Sequence, residues 1–487
     1  MSRSGRIGLI LVLCLYVSWD RLHQRWVVQP TLLEEIQKSG NLRVLTRYDL
    51  STYYEGPEGY TGLEFDLVQL FAKRIGVTAE FIVPENFGQI IGRILVGDGD
   101  IAAAGITVTA ARKQAMRFAP SYRSVTEQLI YRSGTRRPRK IEDLYDGILE
   151  VVNGTSHIGT LNRLKIKHPD LDWNVNTELE SFDLMELVDK GLIDYTIANS
   201  NQVVLIRRFF PKLHVAFDLS EPRGQAWALP YTEDTSLYRA TVNFFLDIKR
   251  SGKLDELIEK HFGYAGSLNY VGNCTFRKHF IQRFPQFKAY FVKAGTENDL
   301  DWRLLAAIGY QESHWDIDAV SPTGVRGIMM LTDATASQLG IEDRKDPYQS
   351  ILGGARYFRL RKNRISPKIH EPDQTWMALA AYNVGHGHLE DARILTKQGG
   401  GNPNKWHDVK KFLPLLSEKL WYKRTKHGYA RGREPVRYVE NIRNYYDLMV
   451  WLTRDNPVKK QAGLSPDDAT DSFEALSSRL NLLVPTL

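Results

Sequence analysis

The residues in this chain best placed to do chemistry begin with one carboxylic acid, Glu312, at the end of the apolar stretch Ala306 to Trp315, AAIGYQESHW. At 3.6 residues per turn, Trp302, Leu305, Ile308 and Glu312 fall on one helical face, so the carboxyl points where its apolar neighbours point. Burial penalises the charged form of a carboxyl and raises its pKa, which lets it hold a proton near neutral pH and act as a general acid. A glutamate exposed at a helix end would do none of this. The spacing therefore carries one expectation: Glu312 sits partly buried at the end of a helix.

The elements that would position such an acid follow in order. Gly327-Ile328-Met329-Met330 begins fifteen residues later, and Ala380-Ala381-Tyr382-Asn383-Val384-Gly385 reads as a small-residue helix stopped by a glycine. Glu312-Ser313, Ser321-Pro322-x-Gly324, Gly327-Ile328-Met329 and Ala381-Tyr382-Asn383, in that order, resemble the signature of lysozyme-like lytic transglycosylases, which cleave peptidoglycan. The resemblance covers residues 269–455 and implies a compact, mainly α lysozyme-like domain with a groove for glycan strands. Carried over by position, Glu312 would be both acid and base, and Ser313 and Ser321 would contact substrate. Tyr382 would orient the carboxyl or the sugar, with Asn383 holding the turn behind it. Met330 departs from the pattern, standing where the family commonly has Gln, so a polar groove contact is lost or supplied elsewhere. Tyr438, in Tyr438-Val439-Glu440-Asn441-Ile442, resembles the last aromatic motif of these enzymes.

The resemblance also implies a mechanism. Most glycosidases flank the bond with two carboxylates, about 5 Å apart in retaining and about 6.5 to 9.5 Å in inverting enzymes. Lytic transglycosylases need one. The acid protonates the β-1,4 oxygen between N-acetylmuramic acid and N-acetylglucosamine, then removes the C6 hydroxyl proton as that oxygen closes on C1, leaving a 1,6-anhydromuramyl end without hydrolysis. Asp316 and Asp318 keep two alternatives open. Either could serve a lysozyme-type hydrolase, or both could be solvated turn residues. A non-enzymatic protein that only holds peptidoglycan is a further alternative, against which the intact Glu312, Ser321 and Tyr382 argue.

Upstream, Asn41 to Thr46 is β-like, Leu63 to Ile75 an amphipathic helix and Ala79 to Val83 another strand, an alternation that predicts α/β layers with mostly parallel sheets. Gly62-Leu63-Glu64-Phe65-Asp66, Gly99-Asp100-Ile101, Gly105 to Arg112 and Phe118-Ala119-Pro120-Ser121-Tyr122 resemble the solute-binding proteins of amino-acid uptake systems. That resemblance implies an α/β bilobal, non-catalytic regulatory domain with a ligand cleft, its chain crossing between lobes near residues 125–130 and 217–225. Arg112 would grip a ligand carboxylate with its planar fork. Thr107, Thr155 and Ser156 would add donors. Asn199 stands where an acid usually meets the ligand amine, so an amino acid should bind weakly, and a stem peptide or muropeptide fragment becomes a candidate ligand.

At 487 residues the chain is too long for one domain of about 100 to 200 residues, and its 43% hydrophobic and 25% charged content is ordinary for globular protein. The expected division is a signal peptide at 1–24, a binding-protein-like domain at 25–268, a lytic transglycosylase domain at 269–455 and a tail at 456–487. Arg3 and Arg6 precede an apolar run from Ile7 to Val17 that is short for a membrane span, which reads as an export signal or, alternatively, an inner-membrane anchor. The chain is then expected at the periplasmic face of the outer membrane as a peripheral protein. Leu13 before Cys14 speaks against lipidation, and Cys274 alone speaks against a disulfide. The net charge of +7 fits an anionic partner such as peptidoglycan or lipid, and nucleic acid is set aside for want of a basic stripe interleaved with aromatics. His386 and His388, one residue apart in an expected loop without Cys or acidic partners, do not make a metal site, and no cofactor is expected.

Overall fold

The computed structural model describes residues 29–56, 59–263, 270–321 and 323–453. The chain divides into two compact units between Cys274 and Thr275, six residues beyond the expected 268/269 boundary. The expected signal segment and the tail lie outside the described residues.

The first unit has two lobes, each built on a five-stranded sheet. In one, Thr78–Ile82, Asn41–Leu45 and Ile101–Ala102 run parallel, followed by Ala228–Pro230 and Met116–Phe118. In the other, Asn174–Asn176, Leu149–Val152 and Tyr195–Asn199 run parallel, followed by Glu127–Arg132 and Leu213–Asp218. The expectation of mostly parallel sheets needs correcting, because both sheets are mixed. The reversal has a topological cause. Ala228–Pro230 and Glu127–Arg132, the strands that enter each lobe from the other, lie antiparallel to both of their neighbours. The two crossings pair with each other, Arg123–Val125 against Arg223–Gln225, as a two-stranded hinge.

Local sequence explains the flanking helices. Leu63–Ile75 has Glu64 and Asp66 in its first turn, Lys73 and Arg74 in its last, and a left-handed Gly76 at its C-cap, charges and cap that all favour the helix. Its apolar face carries Leu67 and Phe71, both fully buried. Phe71, Trp227, Phe244 and Phe245 form a ring cluster beneath the first sheet, with Trp227 and Phe245 edge-on at 4.8 Å. Helices Ser236–Arg250 and Lys253–Phe262 close this unit.

In the second unit the described elements are all helical. Its centre is Trp302–Ser313, the helix that ends in the candidate acid. Leu304 to Tyr310 are buried on every side, so this is a core helix rather than the one-faced amphipathic helix that the spacing of Leu305 and Ile308 implied. Small residues allow it: Ala306, Ala307 and Gly309 let neighbouring elements approach the faces that lack large side chains. Phe276, Trp315 and Tyr445 gather around Tyr310, with centroid separations of 4.6 Å to Phe276 and 4.7 Å to Tyr445, and Phe284 packs in turn on Trp315 at 4.9 Å. His314 and Trp315 then take left-handed φ of 54°, which stops the helix at Ser313. Trp315 is drawn back into the core, where its indole N–H donates to Ala306 O at 2.9 Å.

Candidate active site

Glu312 is partly buried at the C-terminal end of its helix. Burial raises its carboxyl from the ordinary range to about 7, against the opposing effect of a hydrogen bond from the Tyr438 hydroxyl to Oε1 at 2.6 Å. Tyr438 lies on the long helix Arg433–Leu452, which packs along the acid helix. Tyr382, on Asp373–Val384, stacks 6.3 Å from Tyr438, and its hydroxyl donates to Met329 O at 3.3 Å. Burial and the nearby Glu312 push both phenols well above the usual tyrosine range, so they stay protonated as donors while the carboxyl titrates.

The loop carrying Met329 and Met330 is fixed from three sides. Gly327 has φ of 93°, and a Cβ there would stand 2.0 Å from Arg344 O, so only glycine fits. Ser350 Oγ accepts from Met329 N at 3.1 Å. Ser313 Oγ donates to Ile328 O at 2.9 Å, which ties the end of the acid helix to this loop. Ser313 is therefore turned inward, its hydroxyl occupied, rather than facing substrate as expected. Met330 is half-buried with φ of 47°. Ser321 sits in a tight turn where its Oγ accepts from Val325 N at 2.9 Å and meets Thr323 Oγ1 at 3.1 Å. Asn383, expected behind the turn, is exposed, and its side chain makes no hydrogen bond among the described residues.

Asp316 pairs with Arg283 at 3.2 Å, and its Oδ1 accepts from Asp318 N at 3.0 Å, while Asp318 is exposed. These contacts are those of a turn. Sequence reasoning missed Tyr357, whose ring meets Tyr382 edge-on at 4.9 Å and which lies under Arg361. Its sole signal was an aromatic one turn before a basic residue, which is common on any surface helix. His386 and His388 open the helix His386–Gln398 rather than lying in a loop.

In the first unit, Thr107, Arg112, Thr155, Ser156 and Asn199 line one narrow pocket between the lobes together with Arg47, His157 and Gln202. Arg112 bridges the lobes: one guanidinium nitrogen donates to Thr107 O at 2.8 Å, the other to Gly154 O at 2.7 Å. Burial lowers it to about 10. Gly154, at φ of 73°, leaves room for the opposite lobe, because a Cβ would meet Gly88 Cα at 2.5 Å. Thr155 Oγ1 donates to Val152 O at 2.7 Å, Ser156 Oγ to Glu127 at 2.6 Å, and Asn199 Oδ1 lies 3.4 Å from His157. Two further bridges were invisible in sequence. Gln202 donates to Asp49 at 3.0 Å, and Glu180 accepts from Phe87 N at 3.1 Å while lying 3.5 Å from Arg47.

Comparison with known proteins matches residues 42–264 to the bacterial extracellular solute-binding proteins, family 3, and residues 289–404 to the transglycosylase SLT domain. "Membrane-bound lytic murein transglycosylase F" of Saccharophagus degradans is 47% identical, over 91% of this chain and 88% of its own length. "Membrane-bound lytic murein transglycosylase F 1" of Alkalilimnicola ehrlichii is 46% identical, over 94% and 93%. This chain belongs to the membrane-bound lytic murein transglycosylase F family. It is a lyase acting on peptidoglycan, with a solute-binding-protein-like α/β domain ahead of a lysozyme-like helical one. Among solved structures, a mutant of ArgBP from T. maritima is similar at 24% identity, covering 47% of this chain and 99% of that one with a TM-score of 0.43. The SLT match spans Glu312, Ser321, Met330 and Tyr382 but stops before Tyr438, which the structure nevertheless brings onto the Glu312 carboxyl.

Proposed function

We propose that this enzyme cleaves the β-1,4 bond between N-acetylmuramic acid and N-acetylglucosamine with Glu312 as its single acid and base, giving 1,6-anhydromuramyl products. The observation that carries this reading is the carboxyl raised by burial to about 7 beside a phenol that stays protonated. A group poised there donates a proton to the glycosidic oxygen and accepts one from the C6 hydroxyl with small penalty in either direction. Tyr438 orients the carboxyl, Tyr382 steadies both Tyr438 and the Met329 loop, Ser313 ties the end of the acid helix to that loop, and Ser321 shapes the groove wall. The turn contacts of Asp316 and Asp318 argue against a second, water-positioning carboxylate and so against a hydrolase. Digestion of purified sacculi tests this. Anhydro ends, about 18 mass units lighter than reducing ends, are expected, with Asp316→Asn and Asp318→Asn largely active. Mainly reducing ends, or loss of activity in either aspartate variant, would move the enzyme to the hydrolases.

For the first unit we propose a regulatory ligand with a carboxylate, an amino acid, stem peptide or muropeptide, that takes over Arg112 from the Thr107 and Gly154 carbonyls. The whole acts on murein from the periplasmic face of the outer membrane as a peripheral protein. Among the described residues no helix is long and apolar enough to cross a membrane.

A further inference from the structure

The net charge of +7 is not spread over the molecule. Residues 405–437 hold ten Lys and Arg against three Asp and Glu, a surplus equal to that of the entire chain. A chain-wide average hides this, and here basic residues do stand among aromatics. Within the segment, residues 417–429 form an excursion closed at its base where Ala430 N donates to Leu416 O at 3.1 Å. Its far limb is pinned by Asp391, a buried carboxylate that accepts from Lys426 N at 3.2 Å and His427 N at 2.9 Å. The rings of Tyr422 and Tyr429 meet edge-on at 5.7 Å and hold the two limbs together. The excursion is thus an ordered projection.

Its outer surface combines two chemistries. Lys419, Lys423, Arg424 and Lys426 are exposed, with Arg433 and Arg437 close after them in sequence, and none of the six is in an ion pair among the described residues. Leu420 is 63% exposed and Tyr429 58%, with Trp421 half-buried beside Leu420. Unpaired cations attract a polyanion, but burying an exposed leucine is favoured far more by an acyl boundary than by a hydrated sugar polymer. At a bilayer, apolar tips enter the acyl boundary, aromatic rings rest at headgroup level, and long basic side chains reach lipid phosphates.

We propose that this excursion is a docking surface for an anionic lipid membrane, which rests on the peripheral attachment proposed above and assigns it to a place. Flotation of the full chain with phosphatidylglycerol-containing vesicles, against pure phosphatidylcholine vesicles, tests the idea. The wild type should bind the anionic vesicles at least tenfold better at low salt, with the excess shrinking as salt screens the charges. Each basic residue lost should cost roughly fivefold, so K419E/K423E/R424E should remove the excess, and L420N should weaken binding to both vesicle types. Cleavage of soluble glycan fragments by both variants should match wild type, which shows that the fold is kept. If the triple variant keeps its anionic excess, this surface is not the attachment site, although peripheral attachment stands. If the variant loses binding to sacculi but not to vesicles, the surface holds murein. Absence of any anionic excess in wild type would remove both lipid attachment and its proposed place.

Discussion

Both units bury ionisable groups, and they do so in opposite ways. In the interlobe cleft the charges are met across the gap: Arg112 by two carbonyls, Arg47 by Glu180, Asp49 by Gln202. In the catalytic unit Glu312 is buried with one neutral hydrogen-bond donor, Tyr438. Met charges make a cleft that a ligand must compete to enter, because every contact it forms replaces one that already exists. A carboxyl buried without a countercharge keeps its proton to about pH 7 and can hand it over. Recognition and catalysis use the same burial, the first with its charges held across the gap and the second with a single neutral donor on the carboxyl.

The largest effect should come from removing the proton. Glu312→Gln is nearly isosteric, and cleavage should fall about a thousandfold while glycan binding persists. Stability supplies an independent reading. Because the folded carboxyl is raised above its unfolded value of 4.5, the native state binds the extra proton between 4.5 and about 7, so wild-type stability falls as pH rises through that window. Glu312→Gln should lack this fall, amounting to about 1 to 2 kcal/mol after allowance for partial exposure, in denaturant melts at pH 4.5 and 8. Equal pH dependence in the two proteins would contradict the raised carboxyl.

Gly327→Ala tests positioning without touching the acid. With φ of 93° and a carbonyl 2.0 Å from the new Cβ, the loop must move, and Met329 O moves with it. Activity should drop by about a hundredfold, with a stability loss of about 2 to 3 kcal/mol. An active, stable variant would show that the loop adapts. Tyr438→Phe should lower kcat roughly tenfold and shift the alkaline limb of the rate profile upward, since the hydrogen bond it removes favours the charged carboxyl. A downward or unchanged limb would show that Tyr438 is packing only.

Arg112→Ala sharpens the comparison from the cleft side. It removes a charge-assisted fork, so calorimetry with amino acids and stem peptides should show affinity weakened by about ten- to a hundredfold, or roughly 1.5 to 3 kcal/mol. Unchanged affinity would mean that Arg112 serves the lobes and not the ligand. Met330→Gln, which restores the residue that the lytic transglycosylase pattern carries, should lower KM by about two- to fivefold, the value of one neutral hydrogen bond, and leave kcat alone. Raised KM would show that the thioether itself packs on substrate.

What the sequence disclosed follows the range of the interactions. Glu312, Tyr382 and the Gly327 loop were legible because each lies in a short motif whose local geometry is specified by adjacent residues. The lobe crossings were legible through the resemblance to amino-acid solute-binding proteins, which implies where the chain passes between lobes. The all-round burial of the acid helix was not, since Ala306, Ala307 and Gly309 are read as small and neutral until tertiary neighbours close on them. Mixed strand direction in both sheets depends on where the chain re-enters each lobe, which periodicity does not encode. Tyr357 and the Arg47–Glu180 contact join residues far apart in sequence, and only folding brings them together.

The central claim is that burial without a countercharge poises Glu312 for both proton transfers. Its carboxyl can be titrated directly by 13C NMR in protein labelled at glutamate side chains, with Glu312→Gln identifying the resonance. The account predicts a transition near pH 7 that moves higher in Tyr438→Phe. A Glu312 transition in the ordinary range near pH 4.5, unmoved by loss of the Tyr438 hydroxyl, would contradict it.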